Sequence, residues 1–173
     1  IVSGGLRYDQ FEVDIKKGQG GSEDDDHISP RVGLAYFLLD NLKLRTNYGQ
    51  GFKMPAAEEL AGNFVSSWGT PYQGNPDLNP ETSETYELGL DWYPGALEAF
   101  VTYFYTDFED KIEVVYTQQG VQTWKNIGEA TVSGFEGELS YDVGTLFDCL
   151  WEIRPYVNFT YLTEFEDDET GKD

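Results

Sequence analysis

The sequence predicts an all-β fold: an antiparallel transmembrane β-barrel segment with long extracellular loops and short periplasmic turns. Three observations carry that prediction. Apolar and polar residues alternate with a period of two in segment after segment, as they do in strands with one apolar and one polar face. Short and long connections alternate strictly between those segments, so antiparallel strands would send every long loop to one end and every short turn to the other. The chain is also rich in aromatics, with 12 Tyr, 11 Phe and 4 Trp in 173 residues. That excludes a disordered acidic tail, which would be poor in them.

The strands are legible one by one. Val2, Gly4, Leu6 and Tyr8 alternate with Ser3, Gly5, Arg7 and Asp9. Val32, Leu34 and Tyr36 alternate with Arg31, Gly33 and Ala35, and Leu42, Leu44, Thr46 and Tyr48 with Lys43, Arg45, Asn47 and Gly49. Tyr86, Leu88, Leu90 and Trp92 stand against Glu87, Gly89 and Asp91. In 97–106, Phe100 and Phe104 share one side and Val101, Tyr103 and Tyr105 the other, which leaves the faces of that segment open. Phe135, Gly137, Leu139 and Tyr141 stand against Glu136, Glu138 and Ser140, and Val157, Phe159 and Tyr161 against Tyr156, Asn158 and Thr160. The expected outward faces are Val32/Leu34/Tyr36, Leu42/Leu44/Thr46/Tyr48, Tyr86/Leu88/Leu90/Trp92 and Phe135/Leu139/Tyr141. Tyr8, Tyr36, Tyr48, Trp92, Tyr93, Tyr141 and Trp151 lie at strand ends, where aromatic girdles form at the membrane interfaces.

Short turns are expected at 38–41, at Tyr93-Pro94-Gly95 and at 143–149. Pro presets φ in such a turn and Gly accepts positive φ. Long excursions are expected at 12–29, 51–83 and 107–129, with a further one from 163. Gln119-Gly120 marks a hairpin tip between 112–117 and 121–125, which reads as the fifth and sixth strands continuing beyond the membrane. This makes about seven membrane passes of ~9–11 residues each. Single-chain bacterial barrels have even strand numbers. The odd count, Ile at position 1 and an end in mid-loop lead to the expectation of a piece of a longer chain.

Charge and composition narrow the chemistry. Acidic residues number 32 against 11 basic ones, a formal net charge of −21. Phosphate binding needs a Lys/Arg patch, so nucleic acid is disfavoured as a partner. The single cysteine, Cys149, permits no internal disulfide, and the single histidine, His27, excludes any site needing two. No stretch approaches the ~20 apolar residues of a transmembrane helix.

The candidate sites have plain alternatives. Asp24, Asp25 and Asp26 with His27 form the one weak metal-site candidate, a loose Ca²⁺ site included, but the run lacks calcium-loop spacing and reads more simply as solvated charge. Phe64, Trp68 and Tyr72 lie in one long loop and could stack on a ligand, or pack the loop itself. The pairs Glu136/Glu138 and Glu87/Asp91 could do acid/base work, although carboxylates on the water side of barrel strands are the simpler reading. No nucleophile–base arrangement and no phosphate-binding glycine loop are present.

One segment is more specific. Gly74-Asn75-Pro76-Asp77-Leu78-Asn79-Pro80-Glu81-Thr82-Ser83 runs into Glu84-Thr85-Tyr86-Glu87-Leu88-Gly89-Leu90. Pro76 and Pro80 lock φ and push Asn75 and Asn79 out of the helical region. Glu81, Thr82 and Ser83 can bond nearby backbone amides. The result is a rigid descent from a loop into a strand, a structural role assigned to Gly74, Asn75, Pro76, Leu78, Pro80, Glu81 and Ser83. The segment closely resembles the signature of TonB-dependent outer-membrane receptors. Gly5-Leu6-Arg7-Tyr8-Asp9, Ser29-Pro30-Arg31-Val32-Gly33, Gly49 to Pro55, Tyr103 to Asp107 with Ile112, Asn126 to Ala130 and Ser133 to Gly137 match that family in order. Asn79 stands where the family usually has Lys.

The resemblance implies part of a 22-stranded barrel with a plugged lumen, residues 1–173 being a partial barrel domain, with the plug and the remaining strands outside this chain. It implies an outer-membrane receptor of a Gram-negative bacterium for energy-coupled uptake of a scarce ligand such as a siderophore, cobalamin or other metal chelate. The implied partners are that ligand, outer-membrane lipid and the TonB energy-coupling complex, engaged through the plug. No cofactor and no enzymatic activity are implied. Two alternatives remain: a soluble secreted β-sandwich module that binds carbohydrate, and a β-rich hydrolase using paired carboxylates. In a barrel the apolar faces form one outward band; in a sandwich they meet across a dry core.

Overall fold

The strands seen in the sequence pair into one continuous antiparallel sheet. The computed structural model describes residues 1–15, 21–147 and 153–167. Its elements are β1 (Val2–Ile15), β2 (Gly21–Leu39), β3 (Leu42–Lys53), α1 (Ala57–Ala61), β4 (Asn63–Val65), β5 (Pro71–Gln73), β6 (Glu81–Trp92), β7 (Leu97–Glu109), β8 (Ile112–Tyr116), β9 (Gln122–Asn126), β10 (Ala130–Tyr141), α2 (Val143–Phe147) and β11 (Tyr156–Asp167). Seven strands form the large sheet in the order β1-β2-β3-β6-β7-β10-β11. Each of its pairings is antiparallel. The other four form a small sheet in the order β4-β5-β9-β8. Both helices are only five residues long.

The register decides the faces. Residues directly opposite one another across a ladder share a face. One such row runs Val2, Leu34, Thr46, Leu88, Tyr103, Phe135, Tyr161. The next row toward the short turns runs Tyr36, Leu44, Leu90, Val101, Gly137, Phe159. A third runs Leu42, Trp92, Ala99, Leu139, Val157. These rows collect every expected outward residue but Val32, Tyr48, Tyr86 and Tyr141. Val32, Tyr48 and Tyr86 make the row above, and Tyr141 pairs with Leu97 below. The rows also settle the open segment: Val101, Tyr103 and Tyr105 face with the apolar rows, and Phe100 and Phe104 with the polar ones. Leu34, Leu88 and Leu139 are about half exposed, so this apolar band has no protein cover. That removes the sandwich alternative: among the described residues no second sheet packs against the band. The buried apolar cluster, Leu60, Leu78 and Trp124, belongs to the small sheet instead.

The structure corrects several boundaries. Residues 12–15 and 21–29 are not a free loop but a paired extension of β1 and β2, with Asp24 opposite Glu12 and His27 opposite Asp9. Charged residues are cheap to solvate there, so backbone pairing continues despite them. The 112–125 hairpin does not prolong the fifth and sixth strands. It joins the small sheet, because Asp110, at φ 56, turns the chain out of β7. The turn expected at 143–149 opens with α2, where Asp142 accepts bonds from the Gly144 amide and the Thr145 hydroxyl, both at 3.0 Å, and β11 begins at Tyr156. Tyr93 belongs to the polar side, its hydroxyl accepting from Lys43 at 3.4 Å, not to the outward girdle. Cys149 and Trp151 lie outside the described residues, as does the acidic run beyond Asp167.

Candidate functional site

The long connections converge at one end of the sheet and build a body of their own. Residues 54–80 link β3 to β6, and residues 110–129 link β7 to β10. α1 starts where the Glu59 carboxylate accepts the Ala56 amide at 2.7 Å. That first turn aims Leu60 inward, where it is 3% exposed against Leu78 and Trp124. Ala61, Tyr72, Ile112 and, from the β1 extension, Val13 pack around this cluster. β5 and β9 join the two connections through a parallel pairing of Tyr72 with Gln122.

The signature segment is the strap of this body. The chain returns across the end of α1, with the Gly74 amide bonded to the Gly62 carbonyl at 2.6 Å and the Asn75 amide to the Glu59 carbonyl at 2.8 Å. A Cβ at Gly74 would stand 2.6 Å from the Ala61 nitrogen, so only glycine fits this crossing. The Asn75 amide group donates to the Trp124 carbonyl at 2.9 Å, and its oxygen accepts the Asp77 amide at 3.1 Å. Pro76 and Pro80 flank Leu78, the one apolar residue of the strap, which is buried. Asn126 grips both sides of Asn79: its oxygen accepts the Asn79 amide at 2.7 Å and its nitrogen donates to the Asn79 carbonyl at 2.9 Å. Glu81 accepts the Ile112 amide at 2.8 Å and pairs with Lys53 at 2.9 Å. Gly51 gives Ser83 room, since a Cβ there would lie 2.5 Å from the serine oxygen.

The three loop aromatics separate. Phe64 stacks on Tyr72 with ring centroids 5.0 Å apart, and Tyr72 leans on Trp124 at 5.5 Å. Trp68 lies on the β4–β5 turn, 95% exposed. Asp24 and Asp26 are exposed, and the side chain of Asp25 lies outside the described ones. His27 stacks flat on Phe52 at 4.2 Å, which in turn meets Phe11. Among the described residues no group of three or more His, Cys, Asp or Glu side chains is placed to hold a metal ion.

The polar face of the large sheet carries a charge network near the short turns. Asp91, 6% exposed, is held by Lys43 at 2.8 Å and Arg45 at 2.9 Å. Arg45 also donates to the Thr102 hydroxyl. It can lie flat because its neighbour is Gly89, where a Cβ would come within 2.7 Å of the guanidinium carbon. Glu87, four residues before Asp91 on the same face, instead accepts from Asn47 at 2.9 Å. Each carboxylate of that pair thus has its own donors, which is a structural arrangement rather than an acid/base one. A recess of about 450 Å³ opens beside Arg31, Asn47 and Glu87. Sequence reasoning passed over Asn126, Trp124 and Leu60, whose partners lie far away along the chain. The one local signal was that Asn126 heads the segment Asn126 to Ala130.

Comparison with known proteins places this arrangement. The family model for the β-barrel of TonB-dependent receptor-like proteins matches residues 1–173. A probable TonB-dependent siderophore receptor of Acinetobacter baumannii, PirA, is 30% identical over 96% of this chain and 24% of its own length. The ferrienterobactin receptor of Escherichia coli is 28% identical over 99% of this chain and 23% of its own length. Among solved structures, the ferric enterobactin receptor PfeA of Pseudomonas aeruginosa, in complex with enterobactin, superposes with a TM-score of 0.72 at 24% identity, over 98% of this chain and 25% of that one. The chain spans about a quarter of the length of these relatives.

Proposed function

This chain belongs to the TonB-dependent receptor β-barrel family, and we propose that it is a section of the barrel of an outer-membrane receptor that takes up a ferric siderophore. The carrying observation is the pairing of an exposed, mainly apolar band that spans the seven strands with a mainly polar opposite face. Lipid covers the first and a water-filled or plugged lumen faces the second. Antiparallel order then puts the Asp40, Pro94 and α2 turns on the periplasmic side and the loop body outside the cell. In a full receptor the neighbouring strands of a 22-stranded barrel satisfy the edges of β1 and β11. A plug domain elsewhere in the protein would engage the TonB complex, which supplies the energy. The similar proteins are named as receptors rather than as enzymes.

Iron–siderophore chelates are favoured over other scarce ligands because several of the similar receptors are named for them. Vitamin B12 transporters match a smaller share of the chain. Within the loop body we propose Trp68, which is 95% exposed, as an aromatic that meets a ligand, while Tyr72 packs against Phe64 and Trp124. The acidic run around His27 is proposed to be solvated charge. The test is to express the full-length receptor in a strain lacking its own siderophore receptors. The receptor should fractionate with the outer membrane and restore TonB-dependent uptake of ferric enterobactin. Uptake of cyanocobalamin and not of the iron chelate would reassign the ligand; recovery in the soluble fraction would overturn the reading.

A further inference from the structure

We propose that the outer edge of β8 is a strand-acceptor site, on which an extended segment from another long connection of the full-length receptor pairs and continues the small sheet. The occupant rests on the receptor reading above; the readiness of the edge does not. β8 ends the order β4-β5-β9-β8, and among the described residues no strand lies beyond it. The ladder fixes which backbone groups face that edge. In an antiparallel pair, residues that exchange hydrogen bonds alternate with residues whose N–H and C=O point away from the partner strand. The Thr117 amide bonds the Val121 carbonyl at 2.8 Å, and the Ile127 amide bonds the Lys111 carbonyl at 2.9 Å. Both bonds are in register with the β8–β9 ladder, where Ile112 faces Asn126 and Tyr116 faces Gln122. Val115 and Glu113 therefore bond β9, while Ile112, Val114 and Tyr116 turn their backbone groups to the outer edge. The Ile112 amide agrees with that parity, because it leaves the ladder to meet Glu81 at 2.8 Å. No strand among the described residues meets the N–H and C=O of Val114 and Tyr116.

The sequence of this edge suits pairing. Ile112-Glu113-Val114-Val115-Tyr116 is rich in β-branched and aromatic residues and has no proline. Its one charge, Glu113, is paired with Lys111 at 3.1 Å. An edge that is to stay free is usually blunted by lysine, proline, a bulge or a very short strand. β4, at the opposite edge, is short, with three residues. β8 has five, in unshifted register with β9, and exposes Val114 and Tyr116 by 45% and 69%. The occupant follows from how the sheet is already built. β5 comes from one connection and β9 from the next, and they meet edge to edge at Tyr72 and Gln122. β8 is the open end of that series. The chain spans about a quarter of the length of its relatives, and a barrel of this kind carries further long connections at the same end. The added segment is extended, with apolar side chains at alternate positions beside Val114 and Tyr116; main-chain bonds hold such a strand and its alternate side chains select it.

Amide hydrogen exchange of the full-length receptor in detergent, resolved to single residues, reads this edge directly. The Val114 and Tyr116 amides should exchange within about tenfold of the Val115 amide, which β9 protects; an open edge would let them exchange about a hundredfold faster or more. A photo-crosslinking phenylalanine analogue at position 116 should join that position to another connection of the same receptor molecule. Val114→Pro deletes an N–H that points away from β9, so the β8–β9 ladder should tolerate it. It should speed exchange in the crosslinked segment about tenfold and leave 122–126 unchanged. Fast exchange at Val114 and Tyr116 in the wild-type receptor would overturn the proposal, as would a crosslink to a second receptor molecule or to a different protein. A protein that fractionates with the outer membrane yet gives either result loses this proposal alone and keeps the receptor reading.

Discussion

The large sheet and the small sheet solve the same problem in opposite ways. The seven-stranded sheet leaves its apolar face bare, with Leu88 54% exposed and Tyr36 69% exposed. Its cohesion comes from long antiparallel backbone ladders, and among the described residues no protein covers its apolar side. The four-stranded sheet has short, irregular ladders, yet it encloses Leu60, Leu78 and Trp124. It behaves like a miniature water-soluble fold: hydrophobic burial holds it, with side-chain amides closing the gaps between segments. The two regions answer to different solvents, and the transition falls within one or two residues of Lys53, Glu81 and Asp110. The same kind of substitution should therefore have different consequences in the two sheets.

The largest effect is expected in the small sheet. Trp124→Ala removes the buried ring at the centre of the Leu60/Leu78 core, and should cost about 3–5 kcal/mol locally. Limited proteolysis of the receptor should then cut near 66–69 and 117–120 while the barrel keeps its resistance to denaturation by detergent without heating. If the barrel melts as well, the two regions are not energetically distinct. Next is Leu88→Arg on the apolar band, which should cost about 2–4 kcal/mol near the bilayer midplane, measured by urea unfolding in lipid vesicles. Glu87→Gln, its immediate neighbour on the other face, should leave that midpoint nearly unchanged. A reversed pair of results would mean that the faces are exchanged.

A third substitution probes the polar face. Asp91→Asn takes the shared counter-charge from Lys43 and Arg45, whose side chains are 23% and 25% exposed. That partial exposure reduces the cost of a fully buried break to about 1–3 kcal/mol. Asp91→Leu should be worse than Asp91→Asn in the same unfolding assay, because it also removes the hydrogen-bond acceptor. The smallest effect belongs to Glu98→Gln. The Glu98–Arg154 pair at 3.0 Å is nearly half exposed on both sides, and such pairs contribute under about 1 kcal/mol. Any loss there should vanish at high salt.

The barrel part of this molecule was legible residue by residue because a strand's two faces follow from parity alone. Once one face meets an apolar medium, Tyr86, Leu88, Leu90 and Trp92 have to share it, and a slip of one residue would expose Glu87 and Asp91 to that medium. Parity was silent at 97–106, where both sides carry aromatics. There the pairing of Tyr103 with Leu88 and Phe135 decided the matter. Parity also overstated the loops, since the acidic residues of 23–27 obscured a strand whose ladder continues into water.

The sequence by itself determined the strand set, the faces of most strands, the alternation of short and long connections, and a strap in which Pro76 and Pro80 dictate an extended path. Those properties depend on neighbours along the chain: side-chain alternation, fixed φ and turn residues. Only the tertiary structure decided that the 112–126 hairpin leaves the barrel, that it pairs in parallel with 71–73, and that Asn126 closes on Asn79. It also decided that Arg45 and Lys43 share Asp91 beneath Thr102. These contacts join residues tens of positions apart, and their energies come from a shared core and from hydrogen bonds whose partners meet only after the barrel has brought the ends of β3, β6, β7 and β10 side by side.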